Sequence, residues 1–378
     1  MLWYTDLRIF NKKTIKPNKW SFTKLSQIQK CPKQWQFENN FFSDDDKKIP
    51  PIVNLYTVRG SLIHLTLEKI TKAFRVDNIT TDVWDFFQKL NVRNKIEDYY
   101  FNEVYPQYLN NKRIDIREIT SRIDFQFCHS KVYSLWGYPI EKKTDDETVH
   151  KNIQFRFGTE FTEKSDDPPL IGVIDKYSNS VVTDYKTGQK DEEKHKDQVF
   201  FYSYLLHINN KPVKKAEIKY SNKEQLSFDI DEEILNAQKD KINEQLNQIN
   251  DYFNSDFPAK PEKDTCKFCY VKQMCEDYWR VQNDSTINFI DENGLELEII
   301  YNDIEVFDLP IEDENVNTIG MIGIAKTKTL GDVNIQIPKK FLTFNSQPDK
   351  ARILNAKITN KNNRKFIEAI KSSEVFWL

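Results

Sequence analysis

The chain has 378 residues, of which 39% are hydrophobic, 30% charged and 13% aromatic, which is enough apolar material for a packed core and excludes a disordered chain. The length suits one large domain with a smaller one beside it. A net charge of −3 excludes a uniformly basic coat but leaves room for a local basic groove. The opening MLWYTDLRIFNKK carries Asp6 and Arg8 and lacks an apolar core of signal-peptide length. No stretch is long and apolar enough to span a bilayer, so a cytoplasmic, membrane-free setting is expected. The cysteines are Cys31, Cys128, Cys266, Cys269 and Cys275, an odd number that speaks against a disulfide framework there.

In chain order, WSFTKLSQIQKCPKQWQF opens with hydroxyl residues suited to an N-cap (Ser21 or Thr23) and continues at helical spacing, with Cys31-Pro32 ending or bending the helix. SDDDKKIPPIV reads as a charged loop. GSLIHLTLEKITKAF reads as a second helix, with Ile63, Leu67, Ile70 and Phe74 on one face. An aromatic-rich helical region is expected from about Asp82 to Trp136. NIQFRFGTEF, PPLIGVIDKY and SVVTDYKTG then read as strands, the last two joined by a turn at Ser178-Asn179-Ser180.

KHKDQVFFYSYLLHI returns to helix, and VKKAEIKYSN with EQLSFDI suggests another strand pair. ILNAQKDKINEQLNQINDYF is the clearest helix, with Ile242, Leu246, Ile249 and Phe253 in one stripe. After Arg280, VQNDSTIN is a linker candidate. GLELEII, IEVFDL, IGMIGIAK, DVNIQIP and ARILNAKIT alternate like strands of a small barrel or sandwich, and KFIEAIK reads as a short helix.

Side chains two apart on a strand face the same way, so Asp184 and Lys186 of D-Y-K-T-G share a face, and Asp175 on the neighbouring strand can point to the same spot. Two carboxylates can hold a hard divalent cation, and a lysine beside them can stabilise charge developing on a phosphate. Taken alone, the segment also reads as a surface hairpin with an ion pair. Gly60, His64 and Glu68 fall at four-residue steps on one helix face, as do Gln198 and Tyr202 on another.

The series G-x-x-x-H-x-x-x-E, G-x-x-D, D-Y-K-T-G and Q-x-x-x-Y, in that order, resembles the RecB-like branch of the PD-(D/E)XK nucleases. The motifs are individually weak and jointly specific, and they extend from about Ser21 to Cys275. The resemblance implies a restriction-endonuclease-like α/β core, with a mixed central sheet flanked by helices. It implies metal ligation by His64, Asp175 and Asp184, with the carbonyl of Tyr185 as a fourth ligand, for Mg²⁺ or Mn²⁺. Lys186 would be the catalytic lysine, and Gln198 and Tyr202 would position it or a DNA phosphate. Such nucleases often carry a further glutamate, for which Glu141, Glu160 and Glu163 compete, Glu160 being preferred for its strand-like surroundings.

Cys31, in a segment resembling the S-x-S-x-L…C-P opening of that branch, joins C-x-x-C-x-x-x-x-x-C to supply four thiolates. Such a set serves a [4Fe–4S] cluster or a structural Zn²⁺; resemblance to AddB-type and CRISPR-associated exonucleases favours the cluster. Cys128 falls outside the pattern and reads as a small buried hydrophobe.

The expected organisation is a nuclease domain over 1–280, with a helical insertion at about 75–136, and a β-rich domain over 289–378. The latter is OB-like if Lys326, Lys328, Lys339 and Lys340 grip a single strand, or else a docking module for a helicase or defence-complex protein. The acidic DIEVFDLPIEDEN argues against DNA on that side. The expected activity is metal-dependent hydrolysis of DNA, most simply as an exonuclease acting where part of the strand is single. A catalytically silent DNA-binding or scaffolding subunit is the alternative.

Overall fold

The structure, a computed structural model, describes residues 13–41, 49–76, 88, 90–111, 113–136, 161–290, 294–310, 320–342, 348–361 and 364–378. The helices are α1 (Phe22–Lys30), α2 (Pro32–Asn39), α3 (Leu55–Val76), α4 (Val92–Tyr99), α5 (Tyr105–Tyr108), α6 (Ile116–Ser121), α7 (Phe125–Trp136), α8 (Glu192–Ile208), α9 (Glu232–Asn254), α10 (Lys263–Lys267) and α11 (Glu276–Asp284). The strands are β1 (Phe161–Ser165), β2 (Leu170–Ile174), β3 (Lys176–Ser178), β4 (Val181–Lys186), β5 (Lys215–Tyr220), β6 (Gln225–Asp229), β7 (Ile299–Phe307), β8 (Gly320–Thr327), β9 (Gly331–Pro338), β10 (Lys350–Lys361), β11 (Arg364–Glu368) and β12 (Glu374–Trp377). Two units result: residues 17–26 with 50–251, and residues 1–16 with 27–49 and 252–378.

In the first unit, β1 pairs antiparallel with β2, while β3, β4, β5 and β6 form a mixed sheet in that order. Asn179 and Ser180 both adopt positive φ, the backbone that a two-residue turn needs, and this sets the β3–β4 register with Tyr177 opposite Val182. β4 and β5 run parallel, Val181 opposite Lys215 to Lys186 opposite Tyr220, so the chain between them must cross over. α8 is that crossover. Asp191 caps it by accepting from the Lys194 N–H, and Glu192 and Glu193 complement its N-terminal dipole. Val199, Phe201, Tyr202, Tyr204, Leu205 and Leu206 are all buried, since α8 lies across β1, β2, β4 and β5. Each such side chain contributes about 1.5–3 kcal/mol of burial energy.

The apolar face of α3 (Ile63, Leu67, Ile70) packs with α4 and α7 in a separate core that includes Cys128, which is fully buried. The side chain of Phe74 lies outside the described residues, as do Asp82 and all of NIQFRFGTEF except Phe161.

In the second unit, Pro32 starts α2 directly after α1 ends, as the Cys31-Pro32 step implies. The C-terminal strands pair in the order β7-β8-β9-β11-β10, and β10 returns to β7. The result is a closed five-strand barrel with one parallel pair, β9–β11, and β12 added alongside β10. β10 reaches this many neighbours because it is long and bends at a bulge, where Asn355 takes a φ of 53°. KFIEAIK is therefore strand β11 rather than helix: Phe366 faces out and Ile367 joins the barrel core. The linker candidate VQNDSTIN is helical as far as Asp284, and the end of GLELEII runs into IEVFDL as the single strand β7.

Arg352 on β10 is 1% exposed and reaches out of the barrel wall. Its Nε donates to Glu305 Oε1 (2.9 Å), Nη1 to the Gln273 carbonyl (2.7 Å) and Nη2 to Glu276 Oε1 (2.6 Å), while the guanidinium lies over the Trp279 ring. Tyr278 donates to Asp303 Oδ2 at 2.6 Å, and Lys272 pairs with the same carboxylate. Asp303 and Glu305 of DIEVFDL thus face inward, Asp303 onto Tyr278 and Lys272 beside the cysteines and Glu305 onto Arg352.

Candidate active site

A pocket of about 330 Å³ in the first unit is lined by His64 from α3, Asp175 from the β2–β3 junction, Asp184, Tyr185 and Lys186 from β4, and His195, Gln198 and Tyr202 from α8. Strand alternation puts Asp184 and Lys186 on one side, and the Lys186 Nζ lies 2.6 Å from Asp184 Oδ2. The ammonium donates to Gln198 Oε1 at 2.7 Å, and Gln198 Nε2 donates to Tyr202 OH at 2.8 Å. Gln198 is thereby fixed at both ends of its amide, so Lys186 has one defined acceptor. Asp175 Oδ2 accepts from the Tyr185 N–H at 2.7 Å, tying the β2 end to the C-terminal end of β4.

Gly172, two strand positions before Ile174, sits where α8 comes closest. A Cβ there would meet the Tyr202 ring at 3.2 Å and Leu205 Cδ2 at 2.8 Å. The glycine of G-x-x-D is thus a packing requirement. Gly60 is looser, with Thr187 Oγ1 the nearest atom to its would-be Cβ at 3.7 Å.

His195 was not among the residues singled out from sequence. Its Nδ1 stands 2.9 Å from Tyr220 OH, and burial, then the nearby Lys186 ammonium, pull its pKa below the usual 6.5. The signal was present: His195 precedes Gln198 by three on α8, hence on the same face. Of the glutamates that compete for the further acidic position, Glu141 and Glu160 lie outside the described residues, and Glu163 is buried and paired with Lys211.

In the second unit, Cys31, Cys266, Cys269 and Cys275 line one small cavity together with Phe37, Lys272 and Tyr278. Burial pushes the Cys266 thiol up to about 11, with Cys275 and Cys31 adding to the effect. Burial likewise raises Cys269 to about 12, and Cys275 is also raised. Thiols so placed stay protonated near neutral pH unless a cation compensates them.

A mixed sheet crossed by one helix, with carboxylates and a lysine on the wall of one pocket, defines an α/β protein with an acidic–basic centre. The profile of the PD-(D/E)XK nuclease superfamily matches residues 19–276. The chain belongs to that superfamily, whose members are generally metal-dependent nucleases. A search of curated proteins finds no match. Among solved structures, part of the chain is similar to an OB domain from Methanosarcina mazei, with 14% identity and a TM-score of 0.19, over 24% of this chain and 82% of that domain.

The pocket's donors suit the divalent ion that the family implies. They include hard carboxylate oxygens, and Asp184 Oδ2 is buried with no hydrogen-bond partner, the neighbouring ammonium being close but badly angled. Among the described residues, no three His, Cys, Asp or Glu side chains stand together closely enough to hold an ion as placed, and this includes the cysteines. Among the described residues, too, no helix is long and apolar enough to cross a membrane.

Proposed function

We propose that this protein is a Mg²⁺- or Mn²⁺-dependent deoxyribonuclease, acting as an exonuclease in DNA repair, recombination or defence. The observation that carries this reading is the run of contacts Tyr202–Gln198–Lys186–Asp184 in a pocket that His64 and Asp175 also line. Asp184, Asp175 and His64, with the Tyr185 carbonyl, would hold the ion. When bound, the ion polarises the phosphate and lowers the pKa of a water beside it.

The protein's own part is positioning. Lys186 presents its ammonium to the charge that builds on the attacked phosphate, and Gln198 holds that ammonium in place so that little reorganisation accompanies reaction. Tyr202 fixes the Gln198 amide by accepting from its NH₂ group, which leaves the amide oxygen facing the lysine. Asp175 anchors itself on the Tyr185 N–H, which keeps both acidic positions in register.

We further propose that the four cysteines hold a [4Fe–4S] cluster, with Zn²⁺ as the alternative; their place around one common cavity supports this. The nuclease module would run over 1–280, and the 289–378 module would be an OB-like barrel that docks a helicase or defence-complex protein. The test is cleavage of end-labelled DNA by anaerobically purified protein with Mg²⁺, Mn²⁺ or EDTA, beside Lys186→Ala. Cutting that needs metal and vanishes in the variant supports the enzyme. Folded, metal-loaded protein that cuts nothing overturns it in favour of a silent binding subunit.

A further inference from the structure

Beside the catalytic pocket, and sharing Thr187, Gly188 and Gln189 with it, lies a groove of about 290 Å³. One wall is α3 and α7, which supply Tyr56, Arg59, Phe127 and Lys131; the other carries Lys190 and Tyr220. Among its described lining residues are three cations and three aromatics and no Asp or Glu, in a chain whose net charge is −3. That is a local reversal of sign.

Two of the aromatic groups are presented rather than packed away, while Tyr220 is buried. Tyr56 is 79% exposed and Phe127 40% exposed. Phe127 has two cations on it, the Arg59 guanidinium and the Lys131 ammonium, each 5.3 Å from the ring centroid. Lys190 lies 5.8 Å from the Tyr220 centroid and is shared with Glu192 and Glu224. Arg59 donates from Nη2 to the Arg122 carbonyl at 2.9 Å, which holds its plane, while its Nε is buried with no hydrogen-bond partner.

Helix geometry aims this groove at the pocket. Tyr56, Arg59, Gly60, Ile63 and His64 follow one face of α3 at steps of three and four. At 1.5 Å per residue, Tyr56 stands about 12 Å along the axis from His64. A strand laid along that face would meet an aromatic, then cations, then the pocket of Lys186.

We propose that this groove holds a single-stranded DNA segment next to the scissile phosphate, with unpaired bases against Tyr56 and Phe127 and phosphates on Arg59 and Lys131. This rests on the nuclease reading and narrows its substrate to DNA with an unpaired stretch. A duplex already stacks its bases on one another and has no free face to offer these rings. Phosphate contacts alone would serve either form, so the aromatics carry the discrimination.

The experiment measures binding in EDTA, where nothing is cut, by anisotropy of a fluorescein-labelled oligothymidylate and of a blunt duplex of equal length. The full chain should prefer the single strand. Tyr56→Ala should weaken that binding by about tenfold, within the usual range for a stacked base, and change duplex binding little. Lys131→Gln should lower the slope of log affinity against log salt by about 0.7, as one lost phosphate contact does. Tyr56 is too exposed for its loss to unfold the chain. Equal affinity for both probes, or variants that bind the single strand as the parent does, overturns the groove; if the parent still cuts DNA with metal, the nuclease reading stands without it. Selective binding lost in the variants supports the groove even if no cutting is seen, and then it is the nuclease reading that falls.

Discussion

The Tyr202 ring lies so close over Gly172 that a methyl group on that glycine would stand 3.2 Å from it. This ties strand β2 to the residue that orients Gln198. Gly172→Ala is expected to destabilise the fold by about 1–3 kcal/mol through overpacking, and to slow turnover as Tyr202 gives way. Thermal unfolding and cleavage rate should fall together; full activity with an unchanged unfolding midpoint would refute the coupling.

Gln198→Ala removes the fixed acceptor of Lys186 Nζ. A hydrogen bond to a charged group is worth about 1.5–3 kcal/mol, so cleavage should slow by about tenfold to a hundredfold. Tyr202→Phe, which leaves the amide in place but free to turn over, should cost less. Single-turnover rates at saturating DNA decide the order.

Arg352→Met should destabilise the protein by about 3 kcal/mol, because it strips a buried carboxylate of its nearest guanidinium. Replacing Arg352 and Glu305 together by apolar residues should cost less than Arg352→Met alone. Denaturant titration of the parent and the two variants measures this.

The same carboxylate gives a pH signature. Burial pushes Glu305 up, but hydrogen bonds from Lys350, Asn283 and Arg352 outweigh it and hold the group below the ordinary 4.5. A depressed carboxyl contributes stability that is complete above the unfolded value of 4.5 and is lost as pH falls through the lower folded one. Glu305→Gln should flatten the acid limb of the unfolding midpoint against pH; an unaltered limb would remove Glu305 from the account.

Cys269→Ala takes one thiol from the shared cavity. Iron or zinc content per chain should drop, with a lower unfolding midpoint, in protein prepared without oxygen. Undiminished metal and stability would show that the cysteines bind no metal.

Much of the site was legible because its motifs are local: Asp184 and Lys186 are two apart on a strand, and Gln198 and Tyr202 four apart on a helix, so spacing alone placed each pair. What spacing could not supply was the approach of α8 to β2, which explains Gly172. The spacing of three between His195 and Gln198 becomes a signal only once Gln198 is known to face the pocket, so His195 gains its meaning from the fold. KFIEAIK misled because Phe366 and Ile370 suit a helical step as well as Ile367 and Ala369 suit alternation, and barrel closure by β10 and β9 decides for strand. Asp303 and Glu305 read as surface acidity because their partners, Lys272 and Arg352, lie far away in the chain.

The guanidinium of Arg352 also limits how the chain can be cut. A protein ended after the polar run beyond Arg280 would leave the Gln273 carbonyl and the Trp279 face without their cover, in the segment that follows Cys266 and Cys269. A barrel exchanged for another of the same topology would have to bring an arginine at the same point of its fourth strand. The barrel's sequence is therefore answerable at that position to the cysteine loop, whatever its outer surface has been shaped to meet.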